Sequence, residues 1–116
     1  MSTKELLELA GRTCIPCKGG TPAFGSADIE AYQEKLDSGW EVIDNHHLEK
    51  EFKFDDYEAA IDFANMVANI AIEQDHHPDI LLAYGKVTVI VWTHKAGGLT
   101  ENDFVLAAKV EETHRG

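Results

Sequence analysis

Two adjacent histidines, His76 and His77, stand immediately before Pro78 in the stretch EQDHHPDI, and a third, His94, ends the β-rich run KVTVIVWTH. Three chemistries suit such a trio. Imidazole is the side chain that titrates unperturbed near neutral pH, so the three could exchange protons with a substrate. A catalytic zinc centre also uses three protein ligands and one open position, although adjacent residues aim poorly at one ion unless the chain turns sharply between them. The plainest role for His76 and His77 is capping, since an imidazolium near a helix C-terminus gains about 0.3–1 kcal/mol from the backbone dipole. Of the first two, proton transfer suits the trio better.

The elements that must position these residues follow from periodicity. From Asp55 onward, Tyr57, Ala60, Ile61, Ala64, Val67, Ala68 and Ala71 keep helical spacing, with Asp55 and Glu58 available to the first backbone donors. Pro78 disfavours helical geometry at His77, so this helix is expected to end near Asp75 or His76. ILLAY and KVTVIVWTH, separated by Gly85, read as a hairpin. In its second strand Val87, Val89 and Val91 share one face, and Thr88, Ile90, Trp92 and His94 share the other. The valines should meet helices, leaving Trp92 and His94 towards a cleft or a partner subunit.

An earlier hairpin is expected in WEVIDNHHLEKEFKF, with its turn at Asp44 to His47 and Leu48, Phe52 and Phe54 at period two. His46 and His47 then belong to a solvated turn. Ser26 caps a helix running to about Asp37, with Ile29, Tyr32, Gln33 and Leu36 on one stripe, and a short helix begins at Ser2 or Thr3 with Leu6, Leu7 and Leu9 apolar and Gly11 stopping it. Between these two helices TCIPCKGGTPAFG reads as an ordered loop. Thr100 opens a last helix with Phe104, Ala107, Ala108 and Glu111 on one side, and Asp103 lies at capping-box spacing from it. The expected architecture is α+β: a four-stranded antiparallel sheet with helices packed on one face.

At 116 residues the chain is expected to form one domain, residues 1–116, of which 1–25 are an N-terminal extension carrying the first helix and the CxxC loop. A formal charge of -11 opposes binding to phosphate backbones, so no direct nucleic-acid partner is expected. No apolar run reaches membrane-spanning length and MSTKELLELAGR lacks a signal-peptide core, so a cytoplasmic location is expected. Cys14 and Cys17 supply only half a structural zinc site and are expected to stay reduced.

The segment HHPDILLAYGKVTVIVWTHKAGGLTEND, positions 76–103, resembles the signature of the pterin-4a-carbinolamine dehydratases: His-His-Pro, Tyr84 after five residues, His94 after nine more and Asp103 after a further eight. CIPCKGG, GW, FANMVANIAIEQDHHPDI and GGLTENDFVLAAK extend the resemblance over nearly the whole chain. The chain departs from the family pattern at Ile72, where an acidic residue is frequent; Glu73 stands beside it.

The resemblance implies a dehydratase that removes water from 4a-hydroxytetrahydropterin, leaving quinonoid dihydropterin. It implies His76, His77 and His94 as catalytic residues, with His76 and His94 sharing acid and base work and His77 mainly holding the pterin. By the same resemblance Asp103 joins His77 at the substrate, orienting His94 or touching the pterin. Trp92, as an aromatic that can stack on a flat pterin, and Glu73, as the acid beside Ile72, are the further candidates for substrate binding; capping by Asp103 and an interface role for Trp92 stay open as alternatives. It further implies no metal and no cofactor, the pterin being substrate, a homodimer or homotetramer, and a functional link to an aromatic amino acid hydroxylase. Animal members also stabilise dimers of a homeodomain transcription factor, so a protein-binding module is the competing expectation.

Overall fold

Alternation along one strand decides how the layers stack. Val87, Val89 and Val91 are fully buried, whereas Thr88, Ile90 and Trp92 between and after them retain exposure. The computed structural model describes residues 4–15, 22–36 and 39–115. Its elements are α1 (Lys4–Ala10), α2 (Ser26–Leu36), β1 (Glu41–Ile43), β2 (His47–Lys53), α3 (Tyr57–Gln74), β3 (Asp79–Ala83), β4 (Lys86–Val91) and α4 (Glu101–Arg115). The four strands form one antiparallel sheet in the order β1-β2-β4-β3, with the helices on its valine face. This is the expected α+β architecture.

The register pairs Leu48 with Val91, Phe52 with Val87 and Ile80 with Val89, so the core face is continuous across three strands. Helix α3 covers that face with Ala60, Phe63, Val67 and Ala71. The buried line is therefore rotated from the expected stripe: Tyr57 is exposed, and Phe63 enters the core, where its ring packs 4.8 Å from Phe52 and 5.2 Å from Phe54. A large aromatic gains more by burial than the small Ala64 and Ala68 beside it, which explains the choice of face. The N-cap is Asp56, one residue later than expected, its carboxylate accepting from the Ala59 N–H at 2.8 Å.

Helix α4 is buried almost throughout, from Asn102 to Ala108 and again at Val110 and Glu111, because α1, α2 and α3 all pack on it. A glutamate survives there because Glu111 accepts the Trp40 indole N–H at 3.1 Å and pairs with Lys50 at 2.6 Å. Near the start of α4, Glu101 accepts the Tyr32 hydroxyl at 2.7 Å and pairs with Arg12 at 3.1 Å, tying the segment after α1 to α2 and α4. The expected start of α1 at Ser2 or Thr3, the end of α2 at Asp37, and Cys17 lie outside the described residues.

The first hairpin turns on Asp44 and Asn45, both in the left-handed region at φ 54° and 53°, which short polar side chains tolerate. The turn closes with the His46 N–H on the Ile43 carbonyl at 2.8 Å, so His47 belongs to β2, paired with Ile43, rather than to the turn. No described helix is long and apolar enough to cross a membrane.

Candidate functional site

Helix α3 ends as the proline predicts. Asp75 takes the left-handed conformation at φ 51°, and the His76 N–H bonds back to the Ala71 carbonyl at 3.1 Å. This turn directs the chain into β3 and leaves His76 beside the start of α4. There its Nε2 lies 2.6 Å from Asp103 Oδ1; the His76 side chain is 13% exposed and that of Asp103 is wholly buried.

Asp103 is held on its other oxygen as well. Its Oδ2 accepts the Thr93 hydroxyl at 2.9 Å and the Thr100 N–H at 2.8 Å. Thr93 has one proton and gives it to the carboxylate, so the Thr100 hydroxyl, 2.8 Å away, donates to Thr93. A carboxylate only accepts, so His76 donates from Nε2, and its Nδ1 is the nitrogen left for a ligand. Asp103 therefore completes half of the expected capping box through the Thr100 N–H, while its free oxygen orients His76 rather than His94.

A cleft of about 280 Å³ opens beside this pair, lined by Cys14, Ile15, Asp75, His76, His77, Trp92, Thr93, His94, Lys95 and Asn102. His77 is largely exposed there, with its Nε2 3.9 Å from Asp75. His94 and Lys95 come from the tight loop after β4. Its ends meet through the Thr93 N–H on the Gly98 carbonyl at 2.9 Å, and Gly97 supplies the positive φ of 69° that the loop requires.

His94 lies flat on Trp92, with ring centroids 4.4 Å apart and planes within 6°. Trp92 also meets His46 at 5.3 Å and His47 at 6.1 Å, and the Nδ1 atoms of those two histidines are 3.1 Å apart. His46 and His47 are thus half-buried members of a ring cluster, not a solvated turn. The antiparallel register explains it: pairing Leu48 with Val91 places His47 next to the end of β4, where Trp92 follows.

The structure thus brings His76, His77, His94, Trp92 and Asp103 to one corner of the fold. Glu73 lies outside the cleft lining on the exposed side of α3, its carboxylate accepting from the Gln74 side chain at 3.4 Å, and Ile72 is 69% exposed. Among the described residues, no three His, Cys, Asp or Glu side chains are grouped to hold one metal ion. Thr93 was the least visible contributor. Its signal was parity, since it continues the buried series Val87, Val89 and Val91, so a threonine was bound to need a buried partner.

Cys14 is a free thiol, 8% exposed, bonded to the Asn102 carbonyl at 3.6 Å. Burial pushes its pKa up to about 11, so it stays protonated at neutral pH. Asn102 also binds the neighbouring backbone on both sides, accepting the Ile15 N–H at 2.9 Å and donating to the Ile15 carbonyl.

The fold and cleft define an α+β protein with a histidine–aspartate pair at one corner of its helix-covered sheet. Residues 22–113 match the family model described as pterin 4 alpha carbinolamine dehydratase. A relative from Rubrobacter xylanophilus, carried under the provisional name pterin-4-alpha-carbinolamine dehydratase, is 49% identical over 90% of this chain and 96% of its own. One from Alkaliphilus metalliredigens with the same provisional name is 47% identical over 90% and 94%. Among solved structures, a transcriptional coactivator/pterin dehydratase from Brucella melitensis superposes with TM-score 0.72 and 32% identity, over 78% of this chain and 96% of that one. A pterin dehydratase-like protein identified as a RuBisCO assembly factor in the alpha-carboxysome shares the fold alone, at TM-score 0.56 and 22% identity over 66% and 90%. The chain belongs to the pterin 4 alpha carbinolamine dehydratase family.

Proposed function

We propose that the protein removes water from 4a-hydroxytetrahydropterin to give quinonoid dihydropterin, with its own histidines as acid and base and no metal or other cofactor. The observation that carries this reading is the 2.6 Å bond between His76 Nε2 and the buried Asp103 carboxylate. Elimination breaks the C4a–O bond and an N–H bond of the pterin ring. Hydroxide leaves poorly unless it is protonated, and the ring nitrogen must lose its proton to a base.

His76 is assigned as the base. As its Nδ1 takes the proton, Asp103 stabilises the positive charge developing on the ring, the role a buried carboxylate plays behind other catalytic imidazoles. His94 is assigned as the acid: it is exposed, so it regains from water the proton it gives to the departing hydroxyl. His77 holds the pterin at the cleft mouth. Trp92 already has one neighbour stacked on it, so it contributes to binding chiefly by keeping the His94 ring in plane. Upstream, an aromatic amino acid hydroxylase would supply the carbinolamine.

The test is the rate of quinonoid dihydropterin formation from freshly generated carbinolamine, with and without the protein. Wild type is expected to accelerate it, insensitive to chelator, and His76→Ala and His94→Ala are each expected to lose about 10²–10⁴-fold in kcat. No acceleration by folded wild type would overturn the assignment.

A second reading, a protein-binding module, is supported by the joint description of the Brucella melitensis neighbour and by Leu81, 58% exposed on the helix-free sheet face. A second copy of the chain is the occupant this face would take, in a homodimer or homotetramer. Sedimentation of wild type against Leu81→Asp tests it; a monomer in both would remove it.

A further inference from the structure

Cys14 and Ile15 precede residues 22–113, the part of the chain that matches the family model, yet they line the cleft beside His76 and His77. Ile15 is 67% exposed, a large apolar side chain at a cleft mouth. Its backbone is nevertheless held as firmly as a strand's, since the buried Asn102 amide takes its N–H at 2.9 Å and also its carbonyl. Gln74 Oε1 accepts the Cys14 N–H at 2.9 Å. These two anchors neighbour the catalytic pair in sequence: Gln74 stands two residues before His76, and Asn102 directly precedes Asp103. The position of the segment is therefore tied to that of the pair.

We propose that Cys14 and Ile15 form a substrate-facing wall of the pterin site, positioned by Asn102 and Gln74, which sets affinity without taking part in proton transfer. The inference rests on the dehydratase reading above. With the Ile15 N–H and carbonyl and the Cys14 N–H already paired, and the Cys14 thiol buried on the Asn102 carbonyl, the wall offers a planar ring mainly the exposed isoleucine side chain, a contact that neither donates nor accepts a catalytic proton. Such contacts bind ground state and transition state alike, so their loss appears in KM rather than kcat.

The experiment is steady-state dehydration by wild type, Ile15→Ala, Asn102→Ala and His76→Ala, with a melting temperature for each. Ile15→Ala is expected to raise KM about three- to tenfold, with kcat within about twofold and an unchanged melting temperature. Asn102→Ala is expected to raise KM at least as far; should it not fold, Gln74→Ala replaces it with the same expectation. His76→Ala loses kcat instead. Unchanged KM in Ile15→Ala, with wild type active, overturns the wall and leaves the dehydratase reading standing, whereas folded wild type without activity overturns both.

Discussion

His76 is clamped from behind by a buried carboxylate, whereas His94, on the same cleft, lies flat on an indole ring and is open to water. In the first corner, hydrogen bonds fix everything: Thr100 holds Thr93, both hold Asp103, and Asp103 sets the His76 tautomer. In the second, contact between rings fixes the plane of His94, and among the described residues no hydrogen bond to its ring dictates which nitrogen carries the proton. Under the proposed dehydration the two arrangements would divide the labour of an elimination. One imidazole would keep a defined proton acceptor towards the ligand, and the other would trade protons with solvent between turnovers.

The sharpest way to break this contrast is Asp103→Asn. The amide keeps the size of the side chain, but with its oxygen on Thr93 and Thr100 it turns its NH2 towards His76 Nε2, which must then accept, so the ring proton moves to Nδ1 and the acceptor facing the cleft is lost. Loss of charge and the switched tautomer of His76 are expected to lower kcat by about 10- to 100-fold, and replacement of charge-assisted by neutral buried hydrogen bonds to lower stability by about 1–3 kcal/mol. Kinetics and denaturant titration on the same preparation separate the two effects. A stability loss with kcat per folded molecule unchanged would reduce Asp103 to a helix cap and dissolve the distinction between the corners.

Much of the first corner was legible in the sequence because its signals are local. Pro78 announced the end of α3, Thr100 and Asp103 stood at capping spacing, and strict alternation placed the valines on the helix side. The partner of Asp103 was not legible: capping and histidine orientation use different oxygens of one carboxylate, and only the packing of α4 against the end of α3 shows that His76 is the histidine reached. The second corner hid for a different reason. Its ring cluster joins a hairpin turn to the end of a strand far along the chain, through the register of β2 on β4, and periodicity within either segment says nothing about that register. Phe63 fell outside the expected stripe because helical spacing alone admits two adjacent faces, and the choice between them was made by Phe52 and Phe54 on β2 and just beyond it.

If stacking alone holds His94, its support should be weaker than a carboxylate's. Trp92→Leu is expected to lower kcat by about three- to tenfold, because an apolar side chain remains but the planar contact is lost. His46→Ala, one contact further out, should cost less still. A Trp92→Leu loss as large as that of His94→Ala would mean that Trp92 meets the pterin directly and that the rim is a stacking platform, not a bracket.

The smallest expected effect concerns the thiol at the cleft wall, and its sign follows from burial. In the folded protein the Cys14 pKa is about 11, against an ordinary value of 9.0, so the unfolded chain loses this proton first as pH rises. Stability from the protonated, buried thiol is complete below about pH 9 and drains away as pH rises towards 11, by at most about 3 kcal/mol. Cys14→Ser, whose hydroxyl does not ionise in this range, should show a flatter decline between those two pH values when denaturant midpoints are compared with wild type. The His76 and Asp103 corner predicts no difference between the two proteins there, because both retain it. Parallel curves would therefore show that the thiol is not shielded as its neighbours Asn102 and Gln74 suggest, and that the segment carrying Ile15 opens in solution.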